Sequence, residues 1–418
     1  MSFQQGLSGL NAASKNLDVI GHNIANSGTT GFKASRAEFA ELVASAIGSS
    51  GGSNAGIGVE VGAVSQQFNQ GNISVTGNTL DVAINGNGFF TLQQPDGSRA
   101  YTRAGNFKLD SSGRVVTNSG AQVMGYAIDP TTGARTASSA VPLQFPTSAP
   151  IPARQTTKVT ASFNLDARAP NAAGDPAATP PVAATPRSTY GTSINVYDSQ
   201  GVAKPVSLYF SKNGSNTWDV YDSLDPAATA VGQLTFDNNG VLTGPAATPP
   251  ASGFQLPLTI TPTPPNPNAL PNYTVQVQLD KVTQSGKAFS VSDLSQDGYT
   301  SGDLTGINIE NNGMVMTRYS NGVTRAEGQV ALASFRNTQG LSAVGNNNWV
   351  ETFESGQAVT GTPGEGNFGA LRSGALEESN VDLTAELVNM MTAQRAYQAN
   401  AQTIKTQDQI MSTLVNLR

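Results

Sequence analysis

The chain has 418 residues, enough for two or three domains. Only 12% of them are charged, about half the share of an ordinary soluble protein, and the net charge is -6. An acidic chain without a cluster of lysines and arginines is a poor partner for nucleic acid, and the absence of cysteine excludes disulfides, thiol catalysis and cysteine-ligated metals. With His22 as the one histidine, a Ser-His-Asp or multi-histidine site is not expected.

The first residues lack both parts of a secretory signal, namely a basic start and a continuous apolar core. Lys15 is the first cation, and no stretch of the chain reaches the roughly 20 apolar residues of a membrane span. We therefore expect no membrane insertion. If the chain leaves the cell, we expect it to do so without a cleaved signal.

The N-terminal segment has helical spacing. Its apolar side chains recur in steps of four and three, which is the spacing of a coiled-coil seam. The helix is predicted to stop near residues 26–28, where Gly28 can take the left-handed conformation that ends many helices. The seam and its flanking isoleucine consist of Phe3, Leu7, Leu10, Leu17, Ile20 and Ile24.

Between the two ends of the chain the apolar period changes to two, as in residues 80–84 and 273–279. Asn-Gly and Asp-Gly pairs punctuate this region and favour hairpin turns, because Asn and Asp tolerate positive φ beside glycine. We predict an all-β body of short antiparallel strands. The turn pairs begin at Asn85, Asn87, Asp96, Asn213, Asn239, Asp297, Asn312 and Asn321.

The body is predicted to hold two antiparallel β domains, one inserted in the other. Stretches rich in proline and alanine indicate surface loops or linkers, and they suggest the boundaries. The predicted parts are terminal helices in 1–30 and 376–418, extended connecting segments 31–70 and 352–375, a discontinuous inner β domain of 71–146 and 287–351, and an inserted outer β domain of 147–286.

The C-terminal segment repeats the helical pattern more strongly. Ser379 and Asp382 have the spacing of a capping box, which predicts a helix start. From residue 381 to the end there is no Gly or Pro, so the helix could extend about 55 Å. Its seam consists of Leu383, Leu387, Met390, Tyr397, Ile404, Met411 and Val415.

Two arrangements of these helices are open at this stage. They could pack on the body, or on each other as a coiled-coil pair, within one molecule. A two-helix pair buries only one seam and is marginal alone, which favours further neighbours. Those neighbours could be other copies, because the remaining helix faces carry little charge. We therefore predict that both seams form a polymerisation interface.

The sequence contains only weak signals of a catalytic, cofactor-binding or metal-binding site. The Gly-x-Gly at residues 86–88 lacks the rest of a dinucleotide fingerprint and is predicted to be a turn. The acidic segment 306–313 lacks the alternating ligands of a calcium loop. His22 has no visible catalytic partner, so a capping or interface hydrogen bond is its expected role. We predict no enzyme activity, no catalytic residues, no cofactor and no metal.

Two other classes of protein are alternatives. A carbohydrate-active enzyme needs neither Cys nor His, but it needs two carboxylates that face each other in one cleft. An adhesin would bind a ligand through the loops of residues 147–286. Neither alternative explains why both ends of the chain carry long matched seams.

Both ends also contain longer motifs. The N-terminal ones are residues 6–13 (GLSGLNAA), 23–26 (NIAN) and 30–33 (TGFK), and the C-terminal ones are residues 379–383 (SNVDL) and 391–400 (MTAQRAYQAN). With these motifs the chain resembles the axial proteins of the bacterial flagellum, the rod and hook subunits. Within that family, residues 403–410 (TIKTQDQI), 296–299 (QDGY) and 319–322 (YSNG) are similar to those of hook subunits. A rod subunit is the alternative within the family, and the length of the chain and its inserted domain separate the two.

The resemblance implies a structural subunit of the flagellar hook. Such subunits assemble into a curved helical tube that works as a universal joint and transmits motor torque to the filament. Terminal helices form the inner tube and β domains lie outside. The implied partners are further copies of the chain, the distal rod protein, the hook cap protein, the hook-filament junction protein and the flagellar type III export apparatus. The implied location is extracellular.

Overall fold

The computed structural model describes residues 3–43, 56–129, 132–145, 150–172, 177–181, 189–225, 227–245, 253–261 and 271–416. It is mostly β with one long helix at each end, α1 (Phe3–Ala25) and α2 (Leu383–Asn416), and the two helices pack together. This confirms the predicted fold class. None of the helices in the described residues combines the length and apolarity needed to cross a membrane.

Both helices begin or end near the predicted residues. α1 ends at Ala25, where the Asn26 side chain donates to the His22 carbonyl at 2.9 Å. At the start of α2, the N-cap residue differs from the predicted one. The Asp382 carboxylate accepts from the amides of Thr384 (2.9 Å) and Ala385 (3.1 Å), so Asp382 is the N-cap and the predicted capping box starting at Ser379 is wrong.

The strands are short and numerous. In chain order the first twenty are β1 (Ser35–Val43), β2 (Gly56–Gln66), β3 (Ile73–Val75), β4 (Val82–Asn85), β5 (Phe89–Gln93), β6 (Arg99–Thr102), β7 (Lys108–Leu109), β8 (Val115–Val116), β9 (Gln122–Ala127), β10 (Val141–Pro142), β11 (Lys158–Asp166), β12 (Tyr190–Tyr197), β13 (Ala203–Lys212), β14 (Thr217–Tyr221), β15 (Gly232–Phe236), β16 (Leu242–Gly244), β17 (Gln255–Ile260), β18 (Tyr273–Gln278), β19 (Thr283–Ser285) and β20 (Ser290–Gln296). The others are β21 (Leu304–Ile309), β22 (Met314–Tyr319), β23 (Thr324–Val330), β24 (Leu332–Ser334), β25 (Ser342–Gly345), β26 (Asn348–Val350), β27 (Val359–Gly361), β28 (Ala370–Ser373) and β29 (Ala375–Glu377).

The chain forms two compact units. Unit 1 comprises Met1–Ser148, Thr305–Arg318 and Thr324–Arg418, and unit 2 comprises Ala149–Leu304 and Tyr319–Val323. The main sheet of unit 1 has the order β21-β22-β23-β9-β5-β6-β26-β25. An aromatic cluster packs on it, in which the Phe89 ring lies 5.8 Å from those of both Phe335 and Trp349.

Unit 2 has two five-stranded sheets around one apolar core. One sheet is the antiparallel series β12 to β16, and the other has the order β17-β18-β11-β19 with β20 paired to β11. Trp218 is fully buried in the core and donates its indole N–H to Gln284 at 3.0 Å. β11 is parallel to β18 and β19, an exception to the predicted antiparallel pairing that the long connection between these strands permits.

Seven of the eight glycines in the predicted turn pairs have the positive φ that such turns favour. The exception is Gly298, which is absent from the positive-φ glycines. A Cβ there would lie 2.3 Å from the Thr156 hydroxyl, so close packing rather than a left-handed turn requires glycine.

β1 and β2 form a two-stranded antiparallel hairpin in the region predicted to be an extended connection. The pairing starts at Ser35 with Gln66 and has register shifts after Glu38 and after Leu42. The hairpin was not predicted, because the segment is rich in glycine and serine. Its stability depends on α1, which packs along it.

Candidate assembly surface on the terminal helices

The two terminal helices contact each other through small residues. They run antiparallel: Gly6 and Gly9 of α1 lie beside Ile404 and Asn400 of α2. A Cβ added to Gly6 would lie 3.1 Å from Ile404 Cγ1, and one added to Gly9 would lie 3.0 Å from the Asn400 amide. Ala13 and Ala393 are buried as well. The pair therefore packs closely without using most of the large apolar side chains of the predicted seams.

On α1 the predicted seam faces mainly outwards. The Phe3 side chain is 52% exposed and Leu7 is also exposed, while Leu10, Leu17 and Ile24 are half-buried. Ile20 differs, because it is only 5% exposed and belongs to the interior of this chain. An apolar stripe is thus left open beside the contact with α2.

On α2 the predicted seam is divided between the contact with α1 and the surface. Ile404 lies against Gly6, and Met390 is half-buried. The other residues are exposed, Leu387 at 47% and Met411 at 56%, for example. The side chain of Val415 lies outside the described residues. The exposed members are Leu383, Leu387, Tyr397 and Met411.

The hairpin fixes the orientation of α1. The buried Asn23 amide makes two hydrogen bonds with the backbone of Ser35, donating to its carbonyl at 2.7 Å and accepting from its N–H at 2.8 Å. Near the other end, the Ser8 hydroxyl accepts from the amide of Val59 at 3.3 Å, and a Cβ at Gly58 would clash with Ser8. α1 is therefore attached to the hairpin at two points about four turns apart.

A buried ionic junction connects the inner ends of both terminal segments to the β body. The Lys33 ammonium lies 2.5 Å from one Glu377 oxygen, and the Arg103 guanidinium lies 3.3 Å from the other. Gly31 donates its N–H to the Glu377 carbonyl at 2.8 Å. Burial lowers the pKa of Lys33 and of Arg103, although the Glu377 carboxylate opposes the shift in each case.

Five surface cavities in the described part of the chain do not offer a pair of facing carboxylates. The lining of each contains at most one Asp or Glu. A glycosidase needs two such groups at a fixed separation. These cavities therefore lack the arrangement on which the carbohydrate-active alternative depends.

Sequence reasoning missed the residues that organise the surface. Gly6 and Gly9 were visible only as small residues beside the apolar stripe. Lys33 lay in the TGFK motif without a predicted partner, since Glu377 is 344 positions away. The spacing of residues can predict a helix face, but not which distant charge enters the core beside it.

Four family models match the chain. They are the flagella basal body rod protein at residues 3–33, the flagellar hook protein FlgE/F/G D1 domain at 83–162, the flagellar basal body protein FlaE D2 domain at 164–299, and the flagellar basal body rod FlgEFG protein C-terminal at 372–417. The matches follow the chain in order and include both terminal helices.

Relatives match over the whole chain. The flagellar hook protein FlgE of Salmonella typhimurium is 43% identical over 430 residues, and that of Escherichia coli K12 is 44% identical over 433, each with all of both chains covered. The crystal structure of Helicobacter pylori flagellar hook protein FlgE2 shares the fold, with a TM-score of 0.51 and 17% identity over 73% of this chain and all of that one. The chain belongs to the flagellar hook protein FlgE family.

Proposed function

We propose that the chain is a structural subunit of the bacterial flagellar hook, which assembles into a curved helical tube and acts as a universal joint between motor and filament. The family is one of structural proteins and not of enzymes. The observation that carries the proposal is the exposed apolar stripe on the two terminal helices. Side chains such as Leu387 and Met411 gain burial only when another chain covers them.

The proposed polymerisation interface consists of the outward-facing members of the two seams. On α1 these are Phe3 and Leu7 with the half-buried Leu10, Leu17 and Ile24. On α2 they are Leu383, Leu387, Tyr397 and Met411, with Met390 at the edge. Two members of the predicted seams are used within the chain instead, since Ile20 is buried and Ile404 lies against Gly6 of α1.

The β units suit a joint that bends as it turns. Each has its own packed core and can move as a rigid body. Polar surfaces with little charge make contacts that are hydrated and can be exchanged at low energetic cost. Rigid bodies joined by such contacts allow each subunit to slide past its neighbours during rotation.

The chain belongs to the flagellum and polymerises within the hook. Its further partners in this proposal are the distal rod protein, the hook cap protein, the hook-filament junction protein and the flagellar type III export apparatus. The proposed location is extracellular, reached through the export apparatus. Support comes from the similarity of both ends to axial proteins, whose family models match residues 3–33 and 372–417.

The test is the substitution Leu387→Asp, with Leu387→Met as the matched control. Leu387 is exposed in the single chain, so Asp at this position is expected to leave the β units folded, as judged by near-ultraviolet circular dichroism. It is expected to abolish polymer formation, measured by sedimentation and negative-stain electron microscopy. The reason is that burying an unpaired carboxylate in an apolar contact costs a large amount of free energy. Polymers of normal length from Leu387→Asp would overturn the assignment of the interface.

A further inference from the structure

Phe353 has the most exposed large apolar side chain in the part of the chain that the structure describes, at 102%. Single apolar side chains on a surface are common and need no special explanation. Phe353 differs because an aromatic side chain buries about 150–250 Å² when it is covered and often supplies much of the energy of an interface. The described residues leave the ring uncovered, so this burial is still available to another molecule.

The backbone around Phe353 is a turn fixed by hydrogen bonds. The buried Ser355 hydroxyl accepts from the amide of Thr352 at 2.9 Å, and the Thr352 hydroxyl accepts from the amide of Glu354 at 3.2 Å. Behind the turn, Gly340 packs so closely that a Cβ there would lie 2.4 Å from the Ser355 nitrogen. Because the backbone of Phe353 is already held in place, covering its ring costs little conformational entropy.

A cavity of about 590 Å³ lies on the first two strands of the main sheet of unit 1. Its volume is within the range of ligand-binding cavities. The residues that line it include Gly306, Ile307 and Glu310 on or beside β21 and Met316 and Arg318 on β22. Apart from the two chain neighbours of Gly306, no described residue has an atom within 4 Å of the position that its Cβ would take, so the missing side chain leaves open space. Methionine adapts its shape to apolar groups, so this lining suits an aromatic ring.

The Phe353 turn and this cavity belong to opposite ends of one sheet. In the order β21-β22-β23-β9-β5-β6-β26-β25, the cavity lies on the first two strands, and Phe353 follows β26 by three residues. Four strands separate β22 from β26. The ring and the cavity of one chain therefore do not meet, whereas those of two chains can. A contact between two different patches of the same chain is head-to-tail, and such contacts repeat along open helical polymers.

We propose that the ring of Phe353 inserts into this cavity on a second copy of the chain, as a head-to-tail contact that supplements the one between the terminal helices. The inference rests on polymerisation as the function. Charge also favours a second copy as the occupant. Glu354, beside the ring, and Arg318, in the cavity, are both exposed, and neither forms an ion pair with a described residue. In the head-to-tail contact the two side chains meet as opposite charges.

The critical concentration for polymerisation of the full chain tests the contact from both sides. Phe353→Ala is expected to raise it about tenfold or more, the effect of losing an aromatic anchor. Gly306→Leu is expected to raise it as well, because the leucine side chain occupies the cavity from a position that is open in the single chain. The matched controls are Val75→Ala, at a 68% exposed position of unit 1, and Gly286→Leu, at another open glycine. Both controls should leave the critical concentration within about twofold of the wild type.

Cross-linking tests which two patches meet. The chain has no cysteine, so Glu354→Cys combined with Gly306→Cys introduces its only two thiols. In the polymer, a short bismaleimide should join these thiols between neighbouring copies and give a ladder of oligomers on a denaturing gel. The same variant kept below its critical concentration should stay monomeric. Val75→Cys combined with Gly306→Cys is the control and should give no ladder.

The outcomes separate this inference from the proposed function. A wild-type chain that does not polymerise would overturn the proposed function, and the inference with it. If the wild type polymerises, while Phe353→Ala and Gly306→Leu match their controls and the thiol pair gives no ladder, the inference alone is overturned. If Phe353→Ala lowers the unfolding temperature, Gly306→Leu and the ladder decide. Where the two substitutions disagree, the presence or absence of the ladder settles the contact.

Discussion

Lys33, Arg103 and Glu377 place two cations against one anion in the interior of unit 1. Removing these charges from water costs free energy. The contribution of the site is to fix the positions of the chain segments that it joins. Glu377 also accepts from the amide of Gly71 at 3.0 Å, and Lys33 donates to the Asn69 carbonyl at 2.8 Å. One carboxylate therefore joins the segment after α1, the body and the strand before α2.

Replacing Glu377 by Ala is expected to destabilise unit 1 by about 3–5 kcal/mol, because it leaves two buried cations without their counter-charge. Urea unfolding can be followed by Trp349 fluorescence in a Trp218→Phe background, since the chain has two tryptophans and Trp218 reports on unit 2. Arg36→Ala, which removes an exposed ion pair, is the control and should leave the midpoint unchanged. Equal midpoints for Glu377→Ala and the control would contradict the role of the junction.

Tyr101 should make the stability of unit 1 fall in alkali. Burial, helped by the Glu351 carboxylate 3.2 Å from its hydroxyl, raises the pKa of Tyr101 to about 12. The phenol ionises more easily in the unfolded chain, near pH 10, so its contribution to stability is complete below pH 10 and is lost as the pH rises towards 12.

Between pH 9 and pH 11, the ionisation of Tyr101 is expected to lower the free energy of unfolding by about 1 kcal/mol. This amount follows from the difference between the pKa values of the phenol in the folded and the unfolded chain. Unfolding free energies of the wild type and of Tyr101→Phe at the two pH values measure it. The variant should lose less stability over this interval. An identical loss in both proteins would show that the phenol is not protected by the fold.

At the scale of elements, α1 and α2 pack closely because two positions of α1 at their contact are glycines. Gly6 and Gly9 allow the closest approach to α2, whereas Gly21 has open space around its Cβ position. Glycine inside a helix costs roughly 0.5–1 kcal/mol relative to alanine, so its presence needs a packing reason. At Gly6 and Gly9 the reason is Ile404 and Asn400.

Gly9→Ala is accordingly expected to lower the helix melting temperature measured by far-ultraviolet circular dichroism, because the methyl group would press on the Asn400 amide. Gly21→Ala is the matched control and should raise that temperature slightly through its better helix propensity. Combining Gly9→Ala with Asn400→Ala, which removes the opposing amide, should restore part of the loss. If both glycine variants stabilise the helices equally, the close contact is not as described.

The helices and turns could be predicted because their signals are local. Apolar residues at steps of three and four predicted α1 and α2, and Asn-Gly pairs predicted most of the tight turns. The β1–β2 hairpin could not be predicted, since it depends on α1 packing along it. Likewise, the exposed Leu387 and the buried Ile20 look alike in the sequence, because the spacing of apolar residues does not show which of them the rest of the chain covers.

At the scale of the whole molecule, the ends of the chain and its β units have different tasks. The strands β28 and β29 pair with β4 and β3, so the segment before α2 is part of unit 1 rather than a loose connection. The two helices, with their exposed apolar stripe, form the proposed contact with other copies. We therefore expect the β units to be rigid and the terminal helices to form the main contacts between copies.

The most direct test is negative-stain electron microscopy of the full chain beside residues 29–382, a shortened chain that lacks both helices but keeps Lys33, Arg103 and Glu377. Both are concentrated under the same conditions. We expect tubes from the full chain and discrete particles from the shortened one. Tubes from residues 29–382 would move the main contact into the β units and contradict the assignment of assembly to the terminal helices.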